Sequence, residues 1–385
     1  MNLEEMILPR VRTMAPSGIR KYFDMMNEMK DSISLGIGEP DFVTPWNISE
    51  SGIYSLEEGH THYSSNAGLM ELRHEISNYL KRKYGLDYNP ENQIIATVGG
   101  SEGIDIALRS LVGPGDEVII PEPSFVAYKG CTICTGATPV ALNLRIEDEF
   151  KLTAELLEKA ITPKTKVLIL PFPNNPTGAI MTKQELYPIV EVLKDKDIIV
   201  ISDEIYSELT YKDRHTSIAS FPEMKDKTIV INGFSKTFAM TGWRLGYVCG
   251  HPALIEAMKK IHQYAIMCPP TTAQYAAIEA LKNGDDAVHE MFMEYNRRRR
   301  VMVNGFRNIG LDCFEPMGAF YVFPCIKSTG LTSDEFCEKL LKTQKVLVIP
   351  GNAFGDSGEG YVRACYASSM ENITEALKRI EKFLV

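Results

Sequence analysis

The chain lacks an excess of positive charge. Its 385 residues carry 41 Lys and Arg against 50 Asp and Glu, a formal charge of −9. That balance argues against nucleic acid or an anionic membrane as the main partner. The run Arg297 to Arg300 is the one basic cluster, and it continues the helical spacing of Val288, Met291, Phe292 and Tyr295. It reads as a solvated or ion-paired helix face. No run of about 18 apolar residues occurs, so a membrane-spanning helix is not expected. The eight cysteines show no pairing pattern, and MNLEEMILPR has no signal-peptide core, so a reducing cytoplasm is the expected location. Cys131 and Cys134 have redox spacing but no second such pair, and are expected to be buried small hydrophobes. His60 and His62 lack carboxylate or thiol partners at ligand spacing, which excludes a metal site there. Repeats and low-complexity tracts are absent as well.

What is present is a rhythm of short apolar runs alternating with amphipathic helical stretches, the pattern of an α/β sheet covered on both faces. Strands are expected over Ile94 to Val98, Glu117 to Ile120, Lys166 to Leu170, Ile198 to Ser202, Thr228 to Ile231 and Arg244 to Cys249. Helices are expected over Glu102 to Leu111 and Lys183 to Leu193, the second capped by Thr182. The runs KVLIL and IIVIS read as buried parallel strands. From Asp285 the pattern becomes a long helix, an alternating strand near Ala319 to Phe323, a helix near Asp334 to Lys342 and a last helix after Glu371. The length exceeds what one core usually serves. We therefore expect a large domain over residues 47–284 and a smaller α+β domain from 1–46 with 285–385, with a ligand in the cleft between them.

Several residues with chemical potential stand at or just after strand ends, where open α/β sheets place their ligands. Lys236 lies in GFSKTFAMTGWRLGY, with Arg244 eight residues later. A lysine that condenses with a phosphorylated aldehyde needs phosphate-neutralising groups nearby, and this pairing makes pyridoxal phosphate the first cofactor to consider. Asp203 closes a buried strand and opens DEIY, so it needs a cation or donor partner. A protonated pyridine nitrogen is one such partner, and a helix N-cap is the other reading. Asn175, in NNPTG, and Tyr206 are both able to donate to a phenolate oxygen, although NNPTG by itself is also a plain turn. Gly99, Gly100, Ser101 and Glu102 pass from a strand into a helix, a common turn and also a site for a dianion. They form neither a Walker loop nor a dinucleotide fingerprint. Phe125, in PEPSFVAY, stacks on a flat ring or packs in the core. Arg363, in YVRACYA, is an arginine in an apolar strand, suited to a carboxylate or to a structural ion pair.

Taken in order, GxGEPDF (Gly36 to Phe42), HYSSNAGLMELR, VGGSEG, PEPSFVAY, NNPTG, SDEIY, SKTFAMTGWRLG and YVRACYA resemble the class I/II aminotransferases of pyridoxal-phosphate fold type I, from about residue 30 to 370. The resemblance implies that Lys236 is the Schiff-base lysine and the acid/base that moves the α-proton. It implies that Asp203 pairs with the pyridine nitrogen, Asn175 and Tyr206 hold the ring oxygen, and Phe125 stacks on the ring. Gly100, Ser101, Glu102 and Arg244 are implied to hold the phosphate, and Gly38 and Arg363 the substrate carboxylate. Tyr63 matches a tyrosine that such enzymes pass to the neighbouring subunit's phosphate, which implies a homodimer with shared active sites. One departure is Gly233, where many relatives have a phosphate-binding serine; Ser235 is the nearby substitute.

The expected activity is transfer of an amino group between an L-amino acid and a 2-oxo acid in two half-reactions, with aromatic, aspartate or broad specificity. A β-lyase acting on a sulfur amino acid shares nearly all these motifs, and aminocyclopropane-carboxylate synthase is a more distant rival. A ligand-sensing regulator built on this fold usually carries a DNA-binding domain first, whereas about thirty residues precede GxGEPDF here. For an acidic substrate the candidate second cation is Arg20. With Arg20 in solvent, Ile19, Tyr22 and Tyr128 would form a pocket for apolar or aromatic side chains.

Overall fold

The computed structural model describes residues 2–16, 18, 19, 21, 22, 25 and 31–385. Arg20 lies outside the described residues. The strands are β1 (Ile33–Ser34), β2 (Ile94–Thr97), β3 (Glu117–Glu122), β4 (Thr138–Asn143), β5 (Thr165–Leu170), β6 (Ile199–Asp203), β7 (Thr228–Gly233), β8 (Gly246–Cys249), β9 (Tyr321–Val322), β10 (Val346–Leu347), β11 (Ile349–Pro350) and β12 (Val362–Cys365). Seven of them form one sheet in the order β2-β8-β7-β6-β5-β3-β4. Only β8 runs against its neighbours; the β3–β4, β3–β5, β5–β6 and β6–β7 pairs are parallel. The expected α/β class, a mostly parallel sheet between helices, is what the chain adopts.

Continuous apolar runs make this sheet because both of its faces are covered. Along β5, Val167 and Ile169 join one core with Val118 and Ile201, while Leu168 and Leu170 join another with Ile119 and Val200. Successive strand residues point to opposite faces, so a run such as VLIL feeds both cores. The helix Lys183–Leu193 starts at Thr182, where Thr182 and Glu185 form a reciprocal capping box.

The C-terminal part has its own core, in which Phe306, Phe336, Leu340, Val362, Ile373 and Ile380 pack together. It surrounds a three-stranded sheet, β11-β12-β9, and the pair β1–β10. The chain near residue 35 is tied to it, since Leu35 donates to Leu347 O and Cys365 donates to Leu35 O.

The structure departs from the sequence reading in several places. Strand β4 is hidden in the sequence by Pro139 and by an exposed, edge-type pattern. The last strand of the large sheet begins at Gly246, since Arg244 has a left-handed φ of 53° that no strand tolerates. The alternating strand near Ala319 to Phe323 shrinks to β9, preceded by a left-handed Ala319. Cys131 is half-buried and Cys134 exposed, because the helix Ala127–Thr135 turns part of its face to solvent. The arginine run is ion-paired as read, but Arg298 and Arg299 are buried, held by Asp41 and Glu294 and by Glu315 respectively.

Candidate active site

The carboxyl ends of the parallel strands open on a cavity of about 430 Å³. Of the residues singled out in the sequence, Gly38, Gly100, Ser101, Phe125, Asn175, Asp203, Tyr206, Ser235, Lys236, Arg244 and Arg363 all line it. Glu102 and Tyr63 do not. The carboxylate of Glu102 turns away to accept from the Val98 N–H and to meet His262 Nδ1 at 2.6 Å. Tyr63 is 82% exposed, in a groove that shares Arg244 with the cavity.

One end of the cavity is the start of the helix Gly99–Leu111. The first N–H groups of a helix have no intrahelical acceptor, so Gly99, Gly100 and Ser101 present donors with the positive end of the helix dipole. Gly99 has φ 76°, and a Cβ there would meet Arg244 Nη2 at 2.8 Å, so the arginine lies directly against the turn. Thr241 O accepts from Arg244 Nη1 at 3.0 Å and steadies it.

Asp203, at the end of β6, is 7% exposed. It accepts from the Tyr128 hydroxyl at 2.7 Å and from the Ile205 N–H at 3.2 Å. Burial pushes its carboxyl up to about 6, against the pull of those two donors. Among the described residues no cation pairs with it. Lys236 lies in the loop after β7 and donates to Gly38 O at 2.6 Å. Burial brings its amine down to about 8, helped by the Arg363 and Arg244 charges, so roughly a tenth is free base at pH 7, far more than for an ordinary lysine.

Arg363, on β12, is 3% exposed and lies between two rings, its guanidinium carbon 4.4 Å from the centroid of Tyr321 and 4.7 Å from that of Phe354. Its Nη1 donates to Asn175 Oδ1 at 2.9 Å and its Nη2 to Gly36 O at 2.6 Å, while Nε is buried without an acceptor. No carboxylate pairs with it among the described residues. With Oδ1 committed to Arg363, the Asn175 amide keeps its Nδ2 donor for the cavity. The Tyr206 hydroxyl, 2.8 Å from that of Tyr321, is pushed up by burial and by its contact with Tyr321, so it stays protonated.

Tyr321 lines the cavity without having been marked in the sequence, and Tyr128 lines it as expected. The Tyr128 hydroxyl serves Asp203 rather than a substrate side chain. Tyr22 is buried with its hydroxyl on Asp334, away from the cavity, so of the suggested apolar wall Ile19 remains, joined by Ile37. Gly233 has little room: a Cβ would lie 3.0 Å from Gly246 Cα and 3.2 Å from Leu245 O. A serine does not fit there without moving β8. Among the described residues no cluster could hold a metal ion.

Known proteins resemble this chain over nearly its whole length. The family model for aminotransferase class I and II matches residues 30–380. YugH of Bacillus subtilis is 53% identical, with 97% of each chain covered. An aspartate aminotransferase of Pyrococcus abyssi is 47% identical over 97% of each. The crystal structure of an aromatic aminotransferase from Pyrococcus horikoshii superposes with a TM-score of 0.90 at 46% identity, covering 94% of this chain and 98% of that one.

Proposed function

Because the chain belongs to the class I and II aminotransferase family, we propose that this cavity binds pyridoxal phosphate and takes both aromatic amino acids and aspartate as amino donors. The protein is an aminotransferase, and its family works with that cofactor. The observation that carries the assignment to this cavity is Arg363. A buried guanidinium without a counter-ion is costly. The α-carboxylate of an amino acid supplies the missing charge, and the free Nε supplies a donor for it.

The other lining groups fit the cofactor in the same sense. Asp203 is a buried acid in need of a cation, which a protonated ring nitrogen provides. The N–H groups of Gly99, Gly100 and Ser101, the hydroxyl of Ser235 and the charge of Arg244 suit a phosphate dianion. Glu102 serves the phosphate through the helix start that its carboxylate caps. Asn175 Nδ2 and the Tyr206 hydroxyl converge as donors for the ring oxygen, and Phe125 offers a face for the ring.

Bound pyridoxal phosphate supplies a reactive carbonyl carbon and an electron-withdrawing ring. The chain does the rest. Asp203 keeps the ring nitrogen protonated. Lys236, with its amine brought down to about 8, would be the group that accepts the proton of the substrate α-carbon and holds it for return. Arg363 holds the carboxylate, and that grip directs the C–H bond to Lys236 so that proton loss wins over decarboxylation.

Among the described lining residues, the cations Lys236, Arg244 and Arg363 all have tasks in this reading, so Arg20 stays the candidate that the sequence offers for the distal carboxylate of aspartate. Ile19, Ile37 and Pro173 leave an apolar wall for an aromatic side chain. Relatives bear both aromatic and aspartate names, which supports wide side-chain tolerance. The proposal includes a homodimer in which Tyr63 reaches the partner's phosphate, supported by the exposed Trp46, Tyr54, Tyr63 and Tyr264. It also includes the division into residues 47–284 and 1–46 with 285–385, supported by a C-terminal core drawn mostly from residues 291–380, and a cytoplasmic location, which suits free cysteines.

Arg363→Ala is the test. Loss of a two-point charged contact should lower kcat/KM for every amino acid by about 10²-fold or more, with cofactor affinity changed only a few-fold. Unchanged amino-acid affinity would make Arg363 a structural arginine.

A further inference from the structure

Tyr321 stands where three parts of the cavity meet. It opens β9 and is 1% exposed. Its hydroxyl is 2.8 Å from that of Tyr206, and its ring lies beneath the Arg363 guanidinium. The same hydroxyl presses against Gly38, where any Cβ would collide with it. Gly38 in turn offers the carbonyl on which Lys236 rests. Carbonyl, carboxylate grip and ring-oxygen donor are thus all set against one side chain.

A phenol has one proton to donate and lone pairs to accept with. When Tyr206 donates into the cavity, its oxygen is left to accept, and Tyr321 is the hydroxyl in place to donate to it. Hydrogen bonds in such a chain strengthen one another, most of all away from water. Burial raises both phenols well above neutral pH, so neither loses its proton in the working range. The charged and titratable groups facing the pair are Arg363 and Cys365, both on β12.

We propose that Tyr321 is a positioning residue for transamination: its hydroxyl aims the Tyr206 proton at the cofactor ring oxygen, and its ring keeps the Arg363 guanidinium flat for the substrate carboxylate. The proposal rests on the aminotransferase reading and extends it to a residue outside the motifs that carry that reading. The two tasks separate by substitution. Tyr321→Phe keeps the ring and removes only the hydroxyl, while Tyr321→Leu removes both.

The experiment is a spectrophotometric pH titration of the holoenzyme together with steady-state kinetics. A weaker donor at the ring oxygen stabilises its anion less, so in Tyr321→Phe the midpoint of the cofactor's absorption change should move up by about half to one pH unit. Its kcat should fall about 3- to 10-fold with KM within about twofold, as for one net hydrogen bond. In a Tyr206→Phe background the same change should leave the midpoint where it is. Tyr321→Leu should add a rise in amino-acid KM of about tenfold from the lost stacking. A midpoint that stays put in Tyr321→Phe, or one that moves equally with Tyr206 removed, overturns the proposal. Wild-type protein that performs no half-reaction at all overturns the aminotransferase reading instead, and the proposal falls with it.

Discussion

Asp203 shows what the site costs the protein before any ligand arrives. Its carboxyl sits at about 6 in the folded chain against 3.8 in the unfolded one, with burial as the leading cause. A pKa raised by folding favours the folded state fully below the unfolded value, and that favour is lost as pH rises through the folded value. Each tenfold difference in proton affinity between the two states is worth roughly 1.4 kcal/mol, so between pH 4 and 7 the ionised acid becomes a burden of about 2 kcal/mol. Asp203→Asn does not titrate. Without cofactor, its unfolding free energy measured against wild type should gain by about that amount from pH 4 to pH 7. A difference that stays flat over the window contradicts the burial argument. At this scale the sequence was legible where a residue breaks its local pattern: an aspartate ending a buried strand, an arginine inside one. It was silent on Tyr321, because an aromatic in an apolar strand breaks no pattern, and its partner Tyr206 lies 115 positions away.

The elements explain why these residues meet. Strand β7 delivers the Lys236 loop, β6 delivers Asp203, and β8 runs close under the helix start, where a Cβ on Gly246 would meet Gly99 C at 2.7 Å and Gly100 N at 2.8 Å. Gly233 pairs with Gly246 across β7 and β8, so the two glycines let the strand approach the candidate phosphate cradle. The sequence marked Gly233 as a departure from its relatives. Packing supplies the physical reason. Gly233→Ser should lower stability by about 1–3 kcal/mol, as overpacking does, without tightening cofactor binding. Denaturant unfolding and a cofactor titration measure both, and an unchanged stability with tighter binding would contradict this account. Strands with continuous apolar runs were legible in the sequence, as was the helix begun by Thr182. Edge strand β4 and the two-residue β9 were not, since one is polar on its open side and the other too short to show a period.

Across the whole molecule, the C-terminal core and the cores of the large sheet meet around one cavity. The segment before residue 47 reaches it through Gly38, and the C-terminal part through Tyr321 and Arg363. A latch holds the Gly38 loop to the long helix Asp285–Asn308: Arg298 donates to both Asp41 oxygens, at 2.8 and 2.9 Å, and lies over Phe42. This long-range tie gave the sequence no signal beyond a run of arginines. In the proposed reaction this assembled cavity performs one half of a transamination and then waits for a second substrate. The measurement that tests it most directly is the absorption of the protein loaded with pyridoxal phosphate after addition of single amino acids with no 2-oxo acid. The expected result is one conversion to the aminated cofactor, driven by aromatic amino acids and by aspartate, that stops after a single equivalent of 2-oxo acid. Continuous release of ammonia with the absorption unchanged, or no response to either class of amino acid, would contradict it.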